Sequence, residues 1–162
     1  MPTEVAATGA MLSKTVAGVA LGAVFGILAA LHVCWAFGAA WGAGVAVPEI
    51  DGRPKFVPSR AATLAVAAAL AAAAIVVLAR ADLVLRSVPN RISQSAAAVL
   101  GTVFVLRAIG DFGVMGFFKS ARRTRFAVWD TWLYSPLCLV LGLGTLWLAL
   151  ARSREGRVPV VT

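Results

Sequence analysis

RAATLAVAAALAAAAIVVLAR, residues Arg60 to Arg80, holds nineteen consecutive uncharged residues between two arginines, and Thr63 is its one polar side chain. About 20 apolar residues in a helix cross the hydrocarbon core of a bilayer. A soluble helix of that length shows a polar face, and this stretch has none. The segment from about Ala61 to Ala79 therefore reads as a transmembrane helix.

Three more segments meet the same test on either side of it: about Val16 to Ala40, Ser95 to Phe118, and Thr131 to Ala151. The connections between them, Glu49 to Arg60, Arg80 to Arg91 and Lys119 to Asp130, are polar, as are the tails 1–14 and 152–162. No dyad alternation suggests a barrel, and open strands cannot cross lipid with their backbone groups unpaired. The expected fold is all-α: a polytopic membrane protein with four transmembrane helices in an antiparallel up-down bundle. It forms one domain, with both termini on the same side.

Composition agrees. Sixty per cent of the 162 residues are apolar and 14% are charged, against about 25% charged in a typical soluble domain. A chain this short has too little interior to hide so much apolar surface from water. The net charge of +8 does not point to nucleic acid, because Arg and Lys fall between the apolar runs, where anionic headgroups lie. Membrane lipids are the expected partners, with a homo-oligomer as an open possibility. Lys14 precedes an apolar stretch, as in a cleaved leader, but that stretch runs on through Trp35 and Phe37 and reads as a retained helix.

Orientation is undecided by charge. Lys14, Arg80, Arg86, Arg91, Arg152, Arg154 and Arg157 lie on the side of the termini, and Arg53, Lys55, Arg60, Lys119, Arg122, Arg123 and Arg125 on the other. That is seven against seven, a tie under the positive-inside rule. An even number of spans favours cytoplasmic termini in a bacterial plasma membrane. Gly18, Gly22 and Gly26 recur every four residues and form a smooth stripe suited to close helix packing. A GC-rich genome, which supplies many Ala and Gly codons, explains the same stripe. Leu31-His32 with Phe37-Gly38, and Leu106-Arg107 with Phe112-Gly113, repeat as L-[H/R]-x4-F-G. They suggest two related hairpins or a coincidence of common membrane residues.

The candidate site comes from polar residues inside these runs. Arg107 and Asp111 sit four apart in the third span, on one helical face. Each charge costs about 2.5 to 3.5 kcal/mol to insert, roughly what the eleven Leu, Ile, Val and Phe residues around them return. Either the pair neutralises itself and pins helix packing, or it belongs to a site in which Arg107 partners Asp111 or holds an anion. His32 lies in the same leaflet of the first helix. Asp130 and Tyr134 stand at the start of the fourth, and Glu49 and Asp51 in the loop above. Intramembrane ionisable groups usually face the bundle interior or a water-filled cavity, and histidine is a natural proton carrier. Asp130 also stands where a helix N-cap belongs. Trp35, with Trp41, Trp129, Trp132 and Tyr134, reads as an interfacial aromatic belt in preference to a cofactor box. Pro136 kinks the fourth helix or marks its start. His32, Arg107, Asp111, Asp130, Tyr134, Glu49 and Trp35 are thus the candidate ligand-binding or proton-handling residues.

Other chemistries lack their residues. One His and two Cys, Cys34 and Cys138, make no metal-ligand spacing, disulfide framework or CxxC. Phosphate-cradling glycine loops and a serine nucleophile elbow are also missing. Whether a cofactor is bound is unknown from the sequence. Three readings remain: a membrane-embedded enzyme or binder of a small lipophilic molecule, a small transporter or accessory subunit, and a structural or partner-binding protein whose polar residues only support packing.

Several strings taken together carry a resemblance. They are Ala30-Leu31-His32 with Trp35, Phe56-Val57-Pro58-Ser59-Arg60, and Arg107-Ala108-Ile109-Gly110-Asp111-Phe112. Gly116-Phe117-Phe118-Lys119, Phe126-Ala127 with Asp130-Thr131, and Tyr134-Ser135-Pro136-Leu137-Cys138 complete the set. The chain resembles an uncharacterised family of small four-helix bacterial membrane proteins, known as a domain of unknown function. The resemblance covers nearly everything after Lys14. It implies a bacterial membrane protein and brings no substrate, cofactor or catalytic residue.

Overall fold

The computed structural model describes residues 2–50 and 53–151. Four helices are long and apolar enough to cross a membrane, spanning Thr8–Ala36, Arg60–Arg80, Asn90–Ile109 and Arg125–Leu150. Their elements are α1 (Pro2–Ala36), α3 (Arg60–Arg80), α4 (Asn90–Ile109), and a final rod of α5 (Arg125–Trp129), a π turn (Asp130–Tyr134) and α6 (Ser135–Leu150). In the first loop lie the single turn α2 (Ala43–Ala46) and a two-residue antiparallel pairing of Glu49–Ile50 with Arg53–Pro54. The protein is an all-α, multi-pass membrane protein.

Local chemistry explains the boundaries. Ser59 caps α3, its hydroxyl accepting from the Ala62 amide at 3.1 Å. Thr124 caps α5 by accepting from Ala127 N at 3.1 Å. Asp130 is therefore not the N-cap of the fourth span, which begins at Arg125 rather than Thr131. The π turn follows from Pro136. A proline inside a helix donates no hydrogen bond, and its ring clashes with the carbonyl four residues back. The wider turn from Asp130 to Tyr134 removes that clash, and Ser135 N bonds five residues back to Asp130 O.

The third span differs most from its sequence reading. It stops at Ile109, not Phe118, because Gly110 takes a φ of +99° and turns the chain out of the helix. Gly116, at φ +88°, lies directly against Gly110, and a Cβ on either residue would collide with the other's backbone. The apolar run Phe112–Phe118 is thus a folded loop. At the other end of the chain, the expected polar tail 1–14 is helical from Pro2, and α1 ends at Ala36 rather than Ala40. Residues 152–162 and Asp51 lie outside the described residues.

Packing pairs α1 with α3 and α4 with α6, and the two hairpins touch more sparingly. Leu21, Phe25, Ala73, Val77, Ala81, Leu141 and Leu148 form the shared core. Phe25 meets Phe104 edge-on at 5.1 Å. The glycine stripe works in part: Gly18 faces Ala81 and Gly22 faces Leu78, while Gly26 faces open space. A close backbone-to-backbone approach lies between α4 and α6. A Cβ on Gly101 would sit 2.9 Å from Gly142 O, and one on Gly142 would sit 2.9 Å from Gly101 O. The α4 and α6 backbones therefore meet face to face, as small residues allow in lipid.

The start of α1 and the ends of α3 and α6 share one end of the bundle. Lys14 bridges Asp82 there at 2.7 Å, and Arg80 donates to the carbonyls of Ala149 and Ala151. At the opposite end Tyr134 OH meets Val45 O at 3.3 Å, which joins the first loop to the π turn.

Candidate functional site: a buried carboxylate between two cations

Asp130 is fully buried although charged. Its Oδ1 accepts from Arg107 Nη2 at 2.8 Å. Its Oδ2 accepts from Lys119 Nζ at 3.0 Å and from the Gly116 amide at 2.7 Å. Lys119, also buried, spends its other protons on Gly116 O at 2.9 Å and Thr131 Oγ1 at 2.7 Å. Thr131 in turn donates to Ala127 O at 2.9 Å. Both carboxylate oxygens and all three ammonium protons are occupied. Charged, fully bonded and enclosed by its own chain, this carboxylate acts as a clamp. It ties the end of α4, the third loop and the π turn to one point.

Each element contributes for a local reason. Arg107 sits in the last turn of α4, where a cation is favoured by the helix dipole. The Gly110–Gly116 contact folds the third loop back and aims the Gly116 amide at Asp130. Arg107 Nη1 is buried without a hydrogen-bond partner, so the cluster keeps one spare donor.

The Arg107–Asp111 ion pair expected from the sequence does not form. Breaking the helix at Gly110 removes the four-residue spacing, and Arg107 turns to Asp130 instead. Asp111 is exposed and closes its own turn, Oδ1 accepting from the amides of Gly113 (2.9 Å), Val114 (2.8 Å) and Met115 (2.9 Å). The Met115 amide foremost, with those of Val114 and Gly113 and the nearby Lys55 charge, holds its pKa below the usual carboxylate range. With Asp111 outside the span, the expected double insertion cost reduces to one arginine at a helix end.

The remaining candidates form a separate group. His32 Nδ1 donates to Leu28 O at 2.8 Å on its own helix. Its ring meets Trp35 edge-on at 4.9 Å, and Trp35 Nε1 donates to Trp41 O at 2.8 Å. No hydrogen bond or ion pair among the described residues joins His32 to Asp111 or Asp130. Tyr134 stacks 6.0 Å from Phe126 beside the cluster. Glu49 is half-buried in the loop pairing that packs against α5.

Sequence reasoning missed Lys119, Thr131 and the Gly116 amide. Lys119 looked like the polar end of a span. The usable signal was the charge imbalance: residues 107–130 hold five cations, Arg107, Lys119, Arg122, Arg123 and Arg125, against the two acids Asp111 and Asp130.

A second feature lies at the α3–α4 seam. A cleft of about 840 Å³ is lined by Ala69, Ala72, Ala73 and Val76 from α3 and by residues Arg91 to Val103 of α4. Alanines leave this seam thin, in line with the sparse contact between the hairpins.

A family model described as "Protein of unknown function (DUF3995)" matches residues 25–145. The chain belongs to this family. The matched DUF3995 segment runs from the middle of α1 into α6 and contains the Asp130 cluster, the His32–Trp35 pair and the α3–α4 cleft. No curated protein and no solved structure matches the chain.

Proposed function

We propose that the protein is a membrane-embedded binder of a small lipophilic molecule, held in the cleft between α3 and α4. One observation supports this reading above the others: the cleft is about as long as one leaflet. From Arg91 to Val103 its α4 wall rises about 18 Å, against about 15 Å for half of a 30 Å hydrocarbon core. A partner's transmembrane helix calls for a groove through both leaflets. An acyl or isoprenoid chain from one leaflet fits the length, and alanine and aliphatic walls suit it by dispersion and close approach. The Asp130 cluster then serves packing: it fastens the far end of α4 to the fourth span and leaves the α3 side of α4 open.

Native mass spectrometry of the detergent-purified protein tests this, comparing wild type with Ala72→Phe. Ala72 is exposed and lines the cleft, so the larger ring fills the space without disturbing the core. The expected result is a lipophilic adduct on wild type that Ala72→Phe loses at unchanged thermal stability. An adduct retained by Ala72→Phe, or its loss together with a wild-type dimer, overturns the reading in favour of other surfaces or a second copy. We take the membrane to be the cell membrane and the termini to be cytoplasmic, which C-terminal reporter fusions check.

A further inference from the structure

We propose that the occupant of the α3–α4 cleft is an anionic phospholipid of the leaflet on the side of the termini, its headgroup phosphate bound by Arg91 and Ser95. This rests on the reading of the cleft as a lipophilic site and names the ligand class. Arg91 is the second residue of α4, so it stands at the membrane surface where the cleft begins. Ser95 follows four residues later on the same face and also lines the cleft. Arg91 is exposed, and no hydrogen bond or ion pair engages it among the described residues. No acidic side chain lines the cleft, so its mouth carries one uncompensated positive charge above apolar walls. A guanidinium fork matches two phosphate oxygens, and a hydroxyl one turn deeper can donate to the same group. The arrangement of charge at the surface and apolar wall down to the midplane is that of a phospholipid, head outward and one chain inward.

Basic residues near a membrane attract any anionic lipid, so the test must separate a built site from general attraction. The protein is reconstituted in nanodiscs of equal phosphatidylcholine and phosphatidylglycerol, extracted, and its retained lipids counted by native mass spectrometry. Wild type is compared with Arg91→Gln, with Ala72→Phe, and with Arg123→Gln, which removes one charge from the opposite side. The expected result is about a five-fold wild-type preference for phosphatidylglycerol. Arg91→Gln abolishes that preference while still retaining lipid, Arg123→Gln keeps it, and Ala72→Phe retains neither lipid. Equal retention of both lipids by wild type, still lost in Ala72→Phe, leaves the lipophilic cleft standing and overturns the headgroup assignment. A preference that falls equally in Arg91→Gln and Arg123→Gln overturns it too, as general attraction. Lipid retention unchanged in Ala72→Phe overturns the cleft itself.

Discussion

Asp130 at one end of the bundle and Arg80 at the other are both buried charges, and they are satisfied in opposite ways. At the loop end, Asp130 is held by Arg107 and Lys119, two full charges brought in from another helix and a loop. At the terminal end, buried Arg80 donates to the carbonyls of Ala149 and Ala151, where α6 runs out of hydrogen-bond donors. A helix C-terminus has unpaired carbonyls and a partial negative charge, so Arg80 meets dipoles that exist with or without it. At the loop end the balance is reciprocal, and removing any member strands the others. Asp130 thus depends on its partners as they depend on it, whereas Arg80 meets acceptors that the helix end already supplies.

The sharpest break of that comparison is Asp130→Ala. Buried Lys119 and half-buried Arg107 lose their counter-charge, and breaking a buried ion pair costs about 3 to 5 kcal/mol. Thermal unfolding in detergent is expected to show this as the largest loss. Lys119→Met follows closely, since Asp130 keeps Arg107. The combination Arg107→Met, Lys119→Met and Asp130→Leu is expected to be milder than Asp130→Ala alone, because no charge is left stranded. A triple variant as unstable as the single one would contradict the clamp.

Gly142→Leu comes next. It forces a side chain into the α4 backbone, with overpacking at about 1 to 3 kcal/mol. A split of the second hairpin, read as lost cross-linking between cysteines placed on α4 and α6, would accompany it. Arg80→Met is expected to fall below Asp130→Ala, because the freed carbonyls at the membrane edge can turn to water. Equal losses at Arg80 and Asp130 would erase the contrast between the two ends.

The smallest expected effect belongs to Asp111→Asn, which weakens an exposed turn. Its sign with pH is fixed by the lowered folded-state pKa of Asp111. Stability from this group is full above the ordinary carboxylate range near 3.9 and fades as pH falls through the lower folded value. The stability difference between wild type and Asp111→Asn should therefore be constant at neutral pH and shrink only in acid. A difference that shrinks as the pH rises above neutral would contradict this assignment.

Much of this architecture was legible in the chain. Four apolar runs of spanning length, separated by arginines, lead to four helices because lipid leaves the backbone no other way to satisfy itself. The second span matches its sequence reading to within a residue at each end, since arginine marks both of its boundaries. The third was over-read by nine residues at its far end because Phe112–Phe118 is as apolar as the helix before it. What ends that helix is the backbone of Gly110, which hydropathy cannot see.

The site shows the same division. Sequence alone put Arg107, Asp111 and Asp130 towards the end of the bundle that carries the first and third loops, because the order of alternating spans follows from residue count. Which of them pair was decided only in three dimensions. Pairing depends on where the helix breaks, how the Gly110–Gly116 contact folds the loop, and how the π turn before Pro136 rotates Asp130 into the bundle. Those are contacts between residues distant along the chain, and their geometry is set by packing, which no local pattern of apolar and charged residues encodes.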